Sequence, residues 1–276
     1  MTSPENILNH NNELILQKSN FVRKYLFEKF LLTKEGHPGS VFSMVDLACC
    51  LYYGGYVKMS SDNKKLLDKV IVSKGHATAT LYPILQDLGI INKEDWDNWG
   101  HSSSCLKIFG NTSIPGIDAT SGSLGHGLGI AAGYAKSFKD KDNNNNIYVF
   151  LSEGELYEGS CWESLLFISS NNLNNIKLII DRNSLIILGT TEDCVKLDPI
   201  DKKLEAFGFD VLNCDGHDTK QILDCYNQMN NSAKPSCLIA KTIKGKGVSF
   251  MENQPKWHYW NPLDEKQIET ARQELS

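Results

Sequence analysis

The feature that most constrains this fold is the stretch 147–185, where two short apolar runs each end in a polar, acid-bearing turn. The first part, IYVFLSEGELYEGSCWE, and the last, IKLIIDRNSL, each open with a continuous, largely β-branched run of strand length. Such runs belong to strands covered by helices on both faces. Between them Leu156, Trp162, Leu165, Leu166 and Ile168 recur at roughly helical spacing, so the stretch reads as a strand–helix–strand unit.

In a parallel sheet built from such units, ligands lie beyond the carboxyl ends of the strands. Ser152, Glu153 and Gly154 follow the first strand, and Asp181, Arg182 and Asn183 the second. Oxygen donors from two adjacent strand ends can meet on one hard cation. Gly154 lets the backbone approach a phosphate where a helix begins and negative charge is favoured. A divalent ion held by few protein oxygens and completed by phosphate is the usual mode for magnesium. The pattern points to a metal–diphosphate site, although acidic turns after parallel strands also serve as helix N-caps.

With 276 residues, 41% of them hydrophobic, the chain can bury one large α/β domain or two small ones,. Its net charge of −5 and pI near 5.8 leave no basic footprint, so no nucleic-acid partner is expected,. No run of 18 apolar residues occurs and the opening MTSPENILNHNNE is polar. The expectation is a cytoplasmic protein without a membrane segment. The eight cysteines sit in apolar runs without CxxC spacing, as buried, reduced thiols would,.

Taken in order, a polar segment at 1–13 precedes a helix at 14–32, which stops at the rigid turn Gly36-His37-Pro38-Gly39 before a helix at 44–53,. His37 in that turn is open to a structural or a functional reading. A short strand at 69–72 runs into Ser73-Lys74-Gly75-His76 and a helical run at 77–88. His76 stands where a ligand would lie, able to donate to a phosphate or substrate hydroxyl or to move a proton; an N-cap or packing role fits the same position. Trp96 and Trp99 sit in polar sequence and read as a surface loop or small subdomain. The segment 115–127 is dense in glycine (Gly116, Gly122, Gly125, Gly127) ahead of a small-residue helix at 128–136, which suits a loop lining a cofactor,. Further strands are expected at 209–214 and 236–242, and a last helix at 264–275. The tail aromatics around His258 suit a site rim, an interface or packing on the core. At least five strands alternate with helices, which predicts an α/β fold with a doubly wound, mostly parallel sheet and helices on both faces.

Together GHPGS, SKGHA, SGSLGHG, the SEGEL–EG turn, DGHD, KGKGVSFMEN and WH resemble the N-terminal, diphosphate-binding part of transketolases, from about residue 14 to the end. The resemblance implies one binding domain of the thiamine diphosphate fold at 14–276 and transfer of a two-carbon ketol unit between sugar phosphates. It implies thiamine diphosphate with Mg2+, Ca2+ or Mn2+ as cofactors. Glu153, Asn183 and the Leu185 carbonyl would hold the metal. Gly154 and His76 would contact the diphosphate, with Gly122, Ser123 and Leu124 along the cofactor, and Glu155, Glu158 and Asn183 around it. His37, His76 and His258 would serve the reacting sugar, binding hydroxyls and shuttling protons.

The sequence also departs from that family. Glu153 stands where an Asp is usual, Ser152 where a Gly is, and His126 where a Gln is. The family's histidine shortly before Pro115 is missing from Lys107-Ile108-Phe109-Gly110-Asn111, and Tyr259 and Trp260 replace small or basic residues. These changes imply an unusual ketol donor or acceptor. The resemblance further implies a split enzyme: a second subunit with the pyrimidine-binding and C-terminal domains, joined in a heterotetramer. Two alternatives remain, a related thiamine diphosphate enzyme that forms acyloins or decarboxylates 2-oxo acids, and a non-catalytic regulatory or scaffold homologue.

Overall fold

The apolar runs condense into strands at the centre, and their level ends create the surface on which the site is built. The computed structural model describes residues 4–61 and 65–276, with side chains from residue 12 onward. Strands β1 (Lys69–Val72), β2 (Ile147–Ser152), β3 (Ile176–Arg182), β4 (Asp210–Asp215) and β5 (Ser236–Lys241) form one sheet in the order β1-β2-β3-β5-β4. Every neighbouring pair is parallel. The helices are α1 (Pro4–Thr33), α2 (Pro38–Tyr53), α3 (Leu81–Asp87), α4 (Lys93–Asp97), α5 (His126–Asp140), α6 (Gly159–Ser170), α7 (Thr191–Cys194), α8 (Ile200–Ala206), α9 (Thr219–Asn231) and α10 (Glu265–Glu274).

Successive strand side chains point to opposite faces, and this alternation divides the core in two. Tyr148, Phe150, Ile179 and Leu238 share one cluster with α1, α2, α3 and α9. Ile147, Val149, Leu151, Leu178 and Ile180 share the other with α5, α6 and α8. The sheet is therefore covered on both faces, as its unbroken apolar strands require. All eight cysteines are free thiols, and all but Cys105 and Cys194 are buried. Among the described residues no helix is long and apolar enough to cross a membrane.

Several local expectations change. The first helix starts at Pro4, not at 14. No glycine or second proline interrupts 5–33, and Pro at the first position suits a helix start. The segment expected at 1–13 is thus helical from residue 4, and residues 1–3 lie outside the described ones. The run at 77–88 divides into a 3-10 turn, Gly75–Thr80, and α3, because Pro83 has no N–H to donate and fits only within a first turn,. Trp96 and Trp99 are buried, not on a surface loop. They lie at one-turn spacing and pack on each other, with Trp99 also against Phe30 and Tyr82.

The tail divides residue by residue. Trp257 is buried, and Trp260 packs on Phe27, Phe30 and Trp257 while its N–H donates to the Gly36 carbonyl at 2.9 Å. Trp260 is a core anchor rather than part of a sugar-facing change. Asp264 then caps α10 in a reciprocal box with Gln267. Losing such a cap costs about 1 kcal/mol, so Asp264→Ala is expected to lower the urea midpoint correspondingly. An unmoved midpoint would show that the box contributes nothing.

Candidate active site

Strand register decides which side chains meet. Ser152 pairs with Asp181, and Arg182 with Lys241, so residues leaving β2, β3 and β5 emerge at one level. The floor is a fully buried ion pair between Lys74, just past β1, and Asp181. Asp181 also accepts hydrogen bonds from Ser43 Oγ at 2.6 Å and from Thr242 Oγ1, and Lys74 Nζ donates to the Ser40 carbonyl at 3.2 Å. One charge pair thus ties α2 to the ends of three strands. These donors hold the Asp181 carboxyl below its ordinary range despite its burial,.

Above this floor lie three oxygen groups. Glu153 opens a short 3-10 turn after β2 and is 2% exposed. Its Oε2 lies 3.3 Å from Arg182 Nε, and Thr191 Oγ1 donates to its Oε1 at 3.4 Å. Burial pushes this carboxyl up to about 7, against the pull of Arg182 and reinforced by the Asp181 charge. Asn183 is buried, and its Oδ1 accepts from the Leu185 N–H at 3.2 Å. The Leu185 carbonyl accepts from Lys244 Nζ at 3.3 Å. Burial, with the Lys74 charge, pushes the Lys244 ammonium down to about 8.

Next to Lys244 stand three imidazoles. The rings of His37, at the entry to α2, His76, in the turn after β1, and His258 form a triangle with centroids 5.3, 5.3 and 5.5 Å apart. His258 Nδ1 lies 3.3 Å from Lys244 Nζ. Burial, followed by the Lys244 charge, pushes His37 and His258 down to about 4. His76 falls well below its ordinary value through burial and then the Lys74 charge. All three are neutral near pH 7, so each has one donor and one acceptor nitrogen. His37 Nδ1 is buried without a partner. Phe109 and Tyr259, both exposed, flank His37 at 5.8 and 5.1 Å, and Tyr259 also lies 4.7 Å from His258.

The glycine loop closes another side. Gly122 and Ser123 are exposed and Leu124 is half-buried. A Cβ added at Gly122, where φ is +149°, would meet no atom within 4 Å, so this backbone faces open space. The loop is held from below: Glu155 Oε1 accepts from the Gly125 N–H at 2.8 Å and from Ser73 Oγ at 2.5 Å. Glu155 is fully buried and its Oε2 has no partner. Its side chain supports the loop rather than lying on the cofactor-facing surface, a correction to its expected role. Glu158 is exposed at the entry to α6.

Residues 17–276 match the model of the transketolase, thiamine diphosphate binding domain. The chain belongs to the transketolase family. An apulose-4-phosphate transketolase subunit of Actinobacillus succinogenes is 38% identical over 87% of each chain. A 6-deoxy-6-sulfo-D-fructose transketolase subunit from a Clostridium strain is 32% identical over 87% of this chain and 89% of its own. The Campylobacter jejuni transketolase structure superposes with a TM-score of 0.83 at 29% identity. It shares 95% of this chain but only 43% of its own, so the chain spans less than half of that transketolase. Relatives of this chain's own length are thus named as transketolase subunits, and the family's members are transferases.

Within this transketolase-family chain, the structure gathers Glu153, Gly154, Asn183 and Leu185 at the ends of β2 and β3, and His37, His76 and His258 beside them. The donor set fits a hard divalent cation, being carboxylate, amide and carbonyl oxygen only. Among the described residues no three His, Cys, Asp or Glu groups converge as a self-sufficient metal site. A cation here would draw on Glu153, Asn183, the Leu185 carbonyl and oxygens from a bound diphosphate, with Gly154 at the turn where that group would approach. Lys244 and the Lys74–Asp181 pair went unrecognised in the sequence. The two lysines sit in strand-end turns, whereas Asp181 lies within β3.

Proposed function

We propose that this chain is the diphosphate-binding subunit of a thiamine diphosphate- and Mg2+-dependent transketolase that moves a two-carbon ketol unit between sugar phosphates. It works with a second chain supplying the pyrimidine-binding and C-terminal domains, as a heterotetramer in the cytoplasm, where free thiols persist. The observation that carries this reading is the convergence of Glu153, Asn183 and the Leu185 carbonyl beside three neutral imidazoles at the sheet's carboxyl edge. Relatives of matching length, themselves named as subunits, support the split.

Bound thiamine diphosphate would supply the electron sink for the two-carbon unit. The chain's own residues do the rest. Glu153, Asn183 and the Leu185 carbonyl hold the metal, while Gly154 and the loop Gly122–Ser123–Leu124 give the cofactor a close backbone surface. His37, His76 and His258, clustered with ring centroids about 5 Å apart, hydrogen-bond the donor sugar's hydroxyls and carry protons to and from them,. Phe109 and Tyr259 put aromatic faces where hydroxyl-binding groups would otherwise stand, which favours a donor other than the common ketose phosphates. Xylulose 5-phosphate as the best donor in a kinetic comparison would sink that last point.

Glu153→Ala is expected to abolish magnesium-dependent cofactor binding, read by calorimetry with thiamine diphosphate and Mg2+. Unchanged affinity would remove Glu153 from the site. One observation favours a second reading, a non-catalytic homologue: Glu153 already has a cation of this chain, Arg182, beside it at 3.3 Å. That reading requires cofactor affinity to ignore magnesium and no turnover to appear when the second chain is added.

A further inference from the structure

Every group assigned above to the metal is already engaged within this chain, and two of the four partners are cations, the others being the Thr191 hydroxyl on Glu153 and a backbone N–H. Arg182 lies on Glu153, Lys244 on the Leu185 carbonyl, and the Leu185 N–H on Asn183. Each cation has a second anchor pointing away. Arg182 Nη2 lies 2.7 Å from Asp198 Oδ2, and Lys244 Nζ lies 3.3 Å from His258 Nδ1. The Arg182–Glu153 contact, at 3.3 Å, is longer than the 2.7–2.9 Å typical of charge-assisted hydrogen bonds, whereas the contact with Asp198 falls within that range,. Arg182 also borders a cavity of about 840 Å³ at the ends of β3, β5 and β4, shared with Ser184, Lys241 and Lys246. It has room to leave.

The arrangement answers a physical need. A carboxylate as buried as Glu153 is costly without a counter-charge. Yet a divalent cation bonded to it could not tolerate a guanidinium at the same oxygen, since like charges at that range repel strongly. We propose that Arg182 is an exchangeable counter-ion for Glu153. It neutralises the carboxylate while no metal is bound, then withdraws to Asp198 as a divalent cation takes its place, and so sets the metal affinity of the site. This rests on the reading of Glu153 as a metal ligand.

The test is Mn2+ binding to the full chain without cofactor, counted as free Mn2+ by electron paramagnetic resonance. Arg182→Gln removes the competitor and is expected to tighten Mn2+ binding by about fivefold, the scale of one ion pair near the surface. Asp198→Asn removes the retreat, leaves Arg182 on Glu153, and is expected to weaken binding several-fold. Arg182→Gln binding no tighter than wild type, while Glu153→Ala loses Mn2+, would overturn the exchange and leave the metal site standing. Glu153→Ala binding as wild type would overturn both.

Discussion

Lys74→Ala is expected to destabilise the chain by about 3–5 kcal/mol, because it strands the Asp181 carboxylate in a site without solvent,. The hydroxyls of Ser43 and Thr242 still donate to it, but neither carries the charge that the position requires. Replacing both members of a buried pair by apolar side chains of similar volume is far less costly than removing one. Lys74→Met with Asp181→Leu should therefore lie much closer to wild type than Lys74→Ala. Urea unfolding, followed by far-ultraviolet circular dichroism, measures both. A single variant within about 1 kcal/mol of wild type would show the pair to be dispensable, since that is the scale of a surface ion pair. The consequences reach the site because His76 follows Lys74 by two residues and Asn183 follows Asp181 by two. Loss of the pair should loosen both strand ends that present them.

Legibility followed the range of the interactions that shape each part. The five strands were visible because a strand buried on both faces must be an unbroken apolar run, and 147–151 and 176–180 are such runs. Their order was not visible: β5 lies between β3 and β4, a choice made by long crossovers that no local pattern encodes. Trp96 and Trp99 were misplaced because Lys93, Glu94, Asp97 and Asn98 dominate the composition around them. Their spacing of one helical turn, with both indoles turned inward, was the better signal. The histidine triangle emerged only through motifs, since His37, His76 and His258 come from three distant turns. Lys74 and Lys244 stayed hidden because a lysine in a glycine turn is normally solvated. Asp181, which makes Lys74 a core residue, lies 107 residues away.

Glu155→Gln is expected to gain stability relative to wild type as pH rises from about 4.5 to about 7. Burial raises this carboxyl from 4.5 to about 7 in the folded chain. Below pH 4.5 it is protonated whether the chain is folded or not. Between the two values the unfolded chain gives up its proton while the folded chain keeps it, so stability falls as pH rises. The accumulated loss is on the order of 3 kcal/mol for this buried group and is complete above about pH 7. Glutamine keeps an acceptor for Ser73 and Gly125 but does not titrate. Its amide, standing where Oε2 has no partner, imposes an offset independent of pH. His37 and His258, lowered from 6.5 to about 4, work in the opposite sense, since the folded chain binds fewer protons than the unfolded one and stability rises over that interval,. Their contribution, like that of Glu153, is common to both proteins and drops out of the difference. Urea unfolding of the two proteins at pH 5 and pH 8 isolates Glu155, and parallel profiles would show that its carboxyl ionises as freely in the folded chain as in the unfolded one.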